Sequence, residues 1–412
     1  MFSIAKCNRK VLEWLSIGFF VLTVIIYPAL LSPEQSSFSP TSVEVSTSIQ
    51  TAKPLDVQPA IKFDIAQAAY ASSGASKGGG KSTVINFFAM AMGALAGLVL
   101  FIYGVTRLSE GLEEIGTDRM KGFLSKCTTN RFAAILTGAV ATTLLESSSV
   151  TIIMVIAMVS AGVLTFVQSL GVVLGSNIGT TVGAQIISLN IEQYVPLLMF
   201  VGMLVLFIGK TNTQKNLGII LLGFGLMFYG LEAIDEAMKP FRNYQPFIDL
   251  MQTLGKNPLL GAIVGAIFTL IIQSSSATVA IVITLASSGL ISLPAGVAIM
   301  LGAEVGTCAD TLLATVGRGR SALRTGLFHF LFNLVSAILG IIFAPLLVQL
   351  VLAISSGAGV GRQVANAQII FNLIGVAVVI MFLPAIARLL QKLVPDTNDD
   401  RILSPETVQP AR

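Results

Sequence analysis

Nine apolar segments between residues 86 and 390 constrain this chain more than any other feature. Most approach or exceed the about 20 residues that a helix needs to cross a bilayer, and none shows the alternation of a membrane β-barrel. Backbone polar groups must be paired inside hydrocarbon, so such segments fold as helices. The sequence therefore predicts an all-α polytopic membrane protein. The segments lie at about 86–106, 132–160, 163–189, 195–209, 217–231, 258–289, 293–316, 325–352 and 367–390.

The composition supports the same class. Only 11% of the 412 residues are charged and 54% are hydrophobic, and the mean hydropathy is +0.84. Soluble domains carry about 25% charged residues, so most of this surface is expected to face lipid. The net charge of +4 comes from basic residues between apolar segments, a pattern of membrane orientation and not of nucleic-acid binding. The three scattered cysteines have no ligand spacing, so no transition-metal site is predicted.

The two ends of the chain differ from the apolar core. Residues 1–31 join basic positions to a long apolar run, which predicts a membrane anchor with a cytoplasmic N-terminus; a cleaved signal peptide stays open. Residues 32–82 are rich in Ser, Thr, Pro, Ala and Gly, and predict a flexible extracytoplasmic linker. Residues 364–394 predict a C-terminal transmembrane helix, and residues 395–412 a polar tail.

The core repeats itself with an offset of 127 positions, because the serine triplet at 147–149 aligns with the triplet at 274–276. Glycine and threonine positions on both sides of the triplets align at the same offset. An ungapped match of this length indicates an internal duplication. It divides the core into repeat 1 at 86–209 and repeat 2 at 217–352.

Charges and lengths predict how the two copies lie in the membrane. The stretch 107–131 carries five basic residues and is predicted to be a cytoplasmic loop. The segments 132–160 and 258–289 contain the serine triplets and are shorter than the about 40 residues of two crossings, so each is predicted to be a re-entrant hairpin. With three spans beside each hairpin, the two copies are inverted relative to one another, as in many secondary transporters.

The serine triplets carry the prediction of an anion site. A helix that restarts at a serine inside hydrocarbon presents N–H groups, hydroxyls and the positive end of the helix dipole to an oxyanion. Freed carbonyl and hydroxyl oxygens at the same break can hold Na⁺. The alternative is that the serines only pack helices together. The predicted phosphate-binding residues are Ser147, Ser148, Ser149, Ser274, Ser275, Ser276 and Thr278.

A second pair of motifs follows the hairpins, Gly-Ser-Asn-Ile-Gly-Thr-Thr at 175–181 and Gly-Ala-Glu-Val-Gly-Thr-Cys at 302–308. Two glycines four residues apart, with a polar residue between them, predict a span that is locally unwound. The alternative is a small-residue face for helix packing. The predicted cation-binding residues are Glu146, Thr151, Asn177, Thr180, Thr181, Gln273, Glu304 and Thr307.

Together these motifs resemble the sodium/phosphate cotransporter family, the type II transporters and their bacterial relatives. The resemblance covers residues 86–390 and includes the Phe-Asn-Leu sequences at 332–334 and 371–373. It implies that the serine hairpins and neighbouring threonines bind phosphate and Na⁺, and that the two repeats form a moving transport unit. We expect no PhoU-like regulatory domain after the core.

Several positions depart from the family pattern. Glu146 stands where Gln is usual, Glu304 and Cys308 stand where Asn and Thr are usual, and Gln368 stands where relatives often have His. An intramembrane carboxyl group is by default a candidate for function. The two glutamates are therefore expected either to bind cations or to exchange protons, with H⁺ replacing or joining Na⁺.

The sequence predicts a secondary active transporter, not an enzyme, that carries inorganic phosphate with Na⁺ across the cell inner membrane by alternating access. Its predicted partners are phosphate, Na⁺ and the lipid bilayer; no cofactor and no nucleic acid is expected. One alternative is transport of another anion, or coupling to H⁺ in place of Na⁺. Another is a membrane sensor or scaffold that transports nothing. A homo-oligomer stays open.

Overall fold

The computed structural model describes residues 86–189 and 191–396, and within these ranges the chain forms helices and no strand. The predicted anchor at 1–31, the linker at 32–82 and the tail at 395–412, except for its first two residues, lie outside the described residues. The first half of the described chain contains α1 (Phe87–Cys127), α2 (Arg131–Leu145), α3 (Ser148–Ser160), α4 (Phe166–Ile187) and α5 (Val195–Ile208).

The second half contains α6 (Asn212–Met238), α7 (Gln245–Lys256), α8 (Pro258–Ile272), α9 (Ser275–Ser287), α10 (Leu293–Gly306), α11 (Cys308–Leu313), α12 (Arg320–Ile342), α13 (Ala344–Ile354) and α14 (Val360–Leu393). Within the described ranges, 6 helices are long and apolar enough to cross a membrane: α1, α4, α6, α10 continued by α11, α12 and α14. The predicted all-α polytopic membrane protein is confirmed.

The internal duplication is visible in the backbone. Helices α2 and α8 each have 15 residues, and α3 and α9 each have 13. Between the paired helices, Glu146 and Gln273 adopt left-handed conformations with φ of 50° and 60°. Ser147 and Ser274 follow as N-caps, both with φ of −150°. Equivalent residues therefore break the chain in the same way in both copies.

Glycine contacts show that each serine segment is a hairpin. A Cβ on Gly175 would lie 1.9 Å from the carbonyl oxygen of Ile135, and one on Gly183 would lie 2.6 Å from Oε2 of Glu146. Residue numbers rise together along α2 and α4, so these two helices are parallel. Helix α3 connects the end of α2 to the start of α4 and must therefore run back antiparallel to both of them.

Repeat 2 has the same arrangement. A Cβ on Gly302 would lie 1.8 Å from the carbonyl oxygen of Ala262, and one on Gly306 would lie 2.5 Å from that of Ala266. Helices α8 and α10 are therefore parallel, and α9 runs back antiparallel to both of them. The segments 132–160 and 258–289 therefore both fold as helical hairpins, and their re-entrant position in a bilayer stays a prediction.

The first helices of the two repeats, α1 and α6, pack directly on one another. A Cβ on Gly104 would lie 2.3 Å from the backbone nitrogen of Met227, and one on Gly230 would lie 2.3 Å from that of Phe101. Residue numbers rise along one helix as they fall along the other, so the pair is antiparallel. Equivalent helices of an inverted repeat run in opposite directions, as α1 and α6 do. The orientation of both copies in a bilayer stays a prediction.

Two sequence-based predictions about local structure are wrong. The stretch 107–131 is not a loop, because α1 continues without a break to Cys127. The first glycine motif at 175–181 is not unwound, because α4 is a continuous helix of 22 residues. In repeat 2 the helix is only interrupted at Thr307, whose own backbone is right-handed helical. The glycines serve the close parallel packing described above, which is the alternative interpretation.

Other boundaries differ from the expected segments. The segment 325–352 is two helices, α12 and α13, with Phe343 between them. The stretch between the apolar segments 217–231 and 258–289 contains α7, which meets α8 at a bend of 107°. The C-terminal helix α14 begins at Val360, a few residues before the expected start.

Candidate functional site

Both serine triplets line a single cavity of about 310 Å³. It lies where the hairpin tips, at the starts of α3 and α9, face the middle of α1 and the end of α10. The structure therefore brings together residues that are 127 positions apart in the sequence. The predicted site residues that line this cavity are Glu146, Ser147, Ser148, Ser149, Gln273, Ser274, Ser275, Ser276 and Thr307.

The first serine of each triplet caps the helix that follows it. The backbone N–H of Val150 donates to Oγ of Ser147 at 3.2 Å, and that of Ala277 donates to Oγ of Ser274 at 3.2 Å. The first N–H groups of any helix have no partner within the helix, and each cap satisfies one of them. The N–H groups of the two following serines are thus left at the cavity, at the positive end of the helix dipole. Two such ends on one cavity suit an anion.

Hydroxyl contacts join the tips to their surroundings. Oγ of Ser149 lies 3.5 Å from Oγ1 of Thr307, so the first hairpin touches the end of α10 in the other repeat. In the second hairpin Thr269 donates to Oγ1 of Thr278 at 2.7 Å. The equivalent of Thr269 in repeat 1 is Thr142, whose buried hydroxyl has no hydrogen-bond partner among the described residues. The two hairpins have the same backbone conformation but differ in the hydrogen bonds of their side chains.

The remaining predicted site residues lie away from the cavity wall. Thr151 and Thr278 are fully buried and donate to the backbone carbonyl groups of Ser147 and Ser274. On α4 three predicted cation ligands donate to carbonyl groups of their own helix: Asn177, Thr180 and Thr181. These bonds occupy donors but leave lone pairs on the side-chain oxygens.

Glu304 is also outside the cavity. It is only 2% exposed, and its Oε1 accepts a hydrogen bond of 2.8 Å from Nε2 of Gln368 on α14. The carboxyl group therefore belongs to a packed interface between α10 and α14. The two glutamates that depart from the family pattern thus occupy different environments.

The contribution of α1 to the cavity was not predicted from the sequence. Its Thr106, Ser109, Glu110 and Glu113 line the cavity. The spacing of 106, 110 and 113 is that of one helix face, and this polar stripe beside an apolar segment was the available signal. The prediction of a loop over 107–131 hid it, because helical spacing has no meaning in a loop.

Asp310 was missed as well. Its carboxyl group interacts with the side chain of Ser149, which places an acidic residue of α11 beside the first hairpin tip. Nothing in the glycine motif points to it, because Asp310 lies beyond the motif.

The electrostatics of the cavity are unusual for an anion site. Its lining holds the carboxyl groups of Glu110, Glu113 and Glu146, and no Lys, Arg or His among the described residues. The nearby Arg107 is bound to Glu110 at 2.7 Å, and both side chains are about half exposed. Carboxylate, hydroxyl and carbonyl oxygens are ligands for hard cations such as Na⁺. The lining therefore offers donors for an anion and oxygen ligands for the cations that would neutralise it.

The fold and cavity define a polytopic helical membrane protein built on a duplicated hairpin whose tips meet at one site. The family model described as Na⁺/Pi-cotransporter matches residues 100–236 and 243–381. The chain belongs to this family.

Curated relatives show the same kinship. The chain is 27% identical over 301 residues to the uncharacterized protein YqeW of Bacillus subtilis (strain 168), covering 72% of this chain and 96% of YqeW. It is 27% identical over 303 residues to YjbB of Escherichia coli (strain K12), whose name describes a putative inorganic phosphate exporter, covering 73% of this chain and 55% of YjbB.

A shorter match is to the human sodium-dependent phosphate transport protein 2B, 35% identical over 88 residues, 20% of this chain and 13% of that protein. No solved structure matches the chain.

Proposed function

We propose that this protein is a secondary active transporter that carries inorganic phosphate together with Na⁺ across the cell inner membrane. The single observation that carries the proposal is the convergence of two serine-capped helix N-termini on one cavity. Family membership and the names of relatives, one a sodium-dependent phosphate transport protein, support it. In this function the protein converts no substrate and is not an enzyme.

Phosphate binds at the two hairpin tips in this proposal. The N–H and hydroxyl groups of Ser148, Ser149, Ser275 and Ser276 are the donors, and the two helix dipoles favour the negative charge. Because each cap bonds to the third N–H of its helix, it leaves the N–H groups of these serines free. An anion of phosphate size would contact both repeats at once.

Na⁺ is required because the cavity is acidic. A phosphate ion beside Glu146, Glu110 and Glu113 would meet like charge from the lining, and like charges at short range disfavour binding. Na⁺ ions held by these carboxylates and by neighbouring hydroxyls would neutralise the site before or as phosphate enters. Coupling then follows from charge balance within the cavity.

Alternating access is the proposed mode of movement. Ser149 of the first hairpin touches Thr307 of the second repeat, so the site lies on the boundary between the two copies. Rocking of one repeat against the other would expose the cavity to each side of the membrane in turn. We propose uptake as the physiological direction; the name of YjbB, a relative, describes export.

The decisive experiment is transport of ³²P-phosphate by the purified full chain in liposomes. Parallel samples carry an inward Na⁺ gradient, an outward Na⁺ gradient, a proton gradient or no gradient, with sulfate as competitor. We expect phosphate accumulation that follows the sign of the Na⁺ gradient and resists sulfate. Absence of phosphate movement under every gradient would overturn the transporter and favour a sensor or scaffold.

Variants connect the transport to the site. Ser275→Ala removes a hydroxyl from the second hairpin tip and is expected to reduce the rate of phosphate transport at least about tenfold, the effect of roughly one lost hydrogen bond to a charged group. The matched control is Ser125→Ala on α1, where the hydroxyl donates to the carbonyl group of Gly122, one turn earlier in the same helix. Equal transport by both variants would place the phosphate site elsewhere.

Coupling to protons is the second candidate, and the carboxyl groups of the cavity favour it. Glu146 lies at a hairpin tip, where the family usually has Gln, and its side chain contacts Gly183 of α4. If H⁺ replaces Na⁺, Glu146→Gln should abolish the response to a pH gradient. If Na⁺ is the coupling ion, the variant should keep its Na⁺ dependence, with a changed Na⁺ affinity at most.

A further inference from the structure

A buried polar cluster lies outside the serine cavity, where α10, α12 and α14 meet. Gly340 of α12 shows the contact, because a Cβ on it would lie 2.6 Å from Cδ2 of Leu301 and 3.0 Å from Cε2 of Phe371. Leu301 is one turn before Glu304 on α10, and Phe371 precedes Asn372 on α14. The three helices thus bring their polar residues to one interface.

Glu304 provides the charge of this cluster. Its carboxyl group accepts a hydrogen bond from Nε2 of Gln368 at 2.8 Å, and the side chain of Asn372 also lies beside it. No basic side chain of the described residues forms an ion pair with it. A carboxylate that is 2% exposed inside a membrane protein is strongly disfavoured without a compensating positive charge.

Three amide oxygens in this region have no hydrogen-bond partner among the described residues: Oδ1 of Asn333, Oε1 of Gln368 and Oδ1 of Asn372. All three side chains are at most 1% exposed. Buried polar atoms without partners are rare, and each calls for a physical reason.

The orientation of the two asparagine amides follows from their donors. Nδ2 of Asn333 donates to the carbonyl oxygen of His329 at 3.0 Å, and Nδ2 of Asn372 donates to that of Gln368 at 3.1 Å. A carbonyl oxygen only accepts, so reversing either amide would set two oxygens against each other. Both Oδ1 atoms must therefore face away from their own helices.

Cys308 connects Asn333 to Glu304. Its thiol donates to the backbone oxygen of Glu304 at 3.4 Å and lies beside the side chain of Asn333. The residues of α12 and α14 thus reach the same segment of α10 from two sides. The cluster combines one carboxylate with neutral oxygens that could together surround a cation.

We propose that Glu304, Gln368, Asn372 and Asn333 bind a Na⁺ ion, at a site separate from the serine cavity. Carboxylate and amide oxygens are the ligands of hard cations, and a single carboxylate balances a monovalent ion. A proton on Glu304 would neutralise the carboxylate but could donate a hydrogen bond to only one of the three unpartnered amide oxygens. A bound cation can contact several oxygens at once. Its role as a coupling site rests on the proposed function, whereas ion binding itself does not.

The experiment measures ²²Na⁺ binding to the purified full chain without phosphate, at constant ionic strength set with choline. We expect Glu304→Gln to lower the number of Na⁺ ions bound per chain by one. Asn372→Leu, which keeps the branching at Cγ but removes the amide oxygen and nitrogen, should weaken Na⁺ affinity about tenfold or more, as loss of a ligand or its support does. Both variants should lose part of the thermal stabilisation that Na⁺ gives to the unmodified protein.

The matched control is Glu114→Gln. Glu114 accepts a 2.9 Å hydrogen bond from Asn216 between α1 and α6, so it is also a carboxyl group bound to an amide at a helix interface. We expect it to leave the Na⁺ stoichiometry unchanged. If Glu304→Gln does not fold, Asn372→Leu and Gln368→Met carry the test in its place.

The outcomes separate this proposal from the proposed function. Unchanged Na⁺ stoichiometry and affinity in the folded variants overturn the site, even if Na⁺-coupled phosphate transport is found. Loss of one ion in Glu304→Gln supports the site, even if the protein moves no phosphate. Stabilisation by K⁺ equal to that by Na⁺ would overturn its assignment to sodium.

Discussion

At the scale of single residues, the two hairpin tips depend on side chains in an unfavourable backbone conformation. Glu146 and Gln273 have φ of 50° and 60°, a region that favours glycine and asparagine. In both copies the residue ends one helix and allows the serine after it to cap the next. The turn alone does not explain a long polar side chain at this position. Glu146 and Gln273 both line the cavity, which gives their side chains a second role.

The first prediction separates backbone from side chain at this turn. Gln273→Gly relieves the left-handed strain and should keep or raise the thermal stability of the protein in detergent, while reducing transport. Gln273→Val adds a β-branched side chain in the same conformation and should lower stability by about 1–2 kcal/mol. Equal melting temperatures for the two variants would show that the turn is not conformationally demanding.

The second prediction uses the unequal threonines of the two hairpins. Thr269 donates a buried hydrogen bond of 2.7 Å to Thr278, whereas its counterpart Thr142 has no partner among the described residues. Thr269→Val should therefore destabilise the protein by about 1 kcal/mol, and Thr142→Val should be neutral or stabilising. Thermal unfolding of both variants checks this. A larger loss in Thr142→Val would reveal a partner for its hydroxyl.

At the scale of elements, glycine decides how the hairpins pack. A Cβ on Gly175 would lie 1.9 Å from a carbonyl oxygen of the parallel helix, and one on Gly302 would lie 1.8 Å from such an oxygen. Gly122 of α1 has nothing within 4 Å of the place where a Cβ would stand. A larger residue is therefore excluded sterically at Gly175 and Gly302, whereas Gly122 leaves room for a side chain.

The third prediction follows from this contrast. Gly175→Ala and Gly302→Ala force helices apart and should each cost roughly 3 kcal/mol, the upper range for overpacking. Gly122→Ala should stabilise α1 by about 0.5–1 kcal/mol, because alanine restricts the unfolded chain and favours a helix. Melting temperature and monodispersity after purification measure the effect. Comparable stability of all three variants would contradict the close packing.

These glycines also show why the sequence predicted some elements and not others. The hairpin breaks were predictable because a serine triplet is rare inside an apolar run, and two triplets in register favour a common break over chance packing. The unwound span at 175–181 was predicted wrongly because glycine allows both a helix break and a close approach. Only the neighbouring helix, which is not encoded within the motif, distinguishes them.

The candidate site was predictable in part for the same reason. The serines, Glu146 and Gln273 belong to motifs that repeat, so comparison of the two copies revealed them. Glu110 and Glu113 lie outside these motifs, and they reach the cavity because α1 packs beside the hairpin tips. The orphaned oxygens of Asn333 and Asn372 are likewise visible only when side-chain partners are known.

At the scale of the whole molecule, the contact between Ser149 and Thr307 joins the two repeats. Their hydroxyl oxygens are 3.5 Å apart, and the residues belong to different copies. If the copies rock during transport, this contact must change in every cycle. A covalent link across it would hold the protein in a single state.

The fourth prediction tests this. The double variant Ser149→Cys with Thr307→Cys should form a disulfide under mild oxidation, because thiols this close need little movement to reach the bonding distance of about 2 Å. Oxidation should arrest phosphate transport and reduction should restore it, in the same preparation. Peptide mass spectrometry distinguishes this disulfide from one that involves Cys308. Full transport by the cross-linked protein would argue against movement at this boundary.

The glycine contacts between α2 and α4, and between α8 and α10, have a mechanical consequence. Two helices whose backbones touch have no side chains between them that could change rotamer, so we expect each pair to behave as a rigid unit. The hairpin tip lies at the end of the first helix of each pair. The returning helix, α3 or α9, connects to the second helix of the pair through a bend at Gly162 or Gly289, with φ of 70° and 78°. If the repeats move against each other, we therefore expect the deformation to lie at these bends and the hairpin tips to keep their shape.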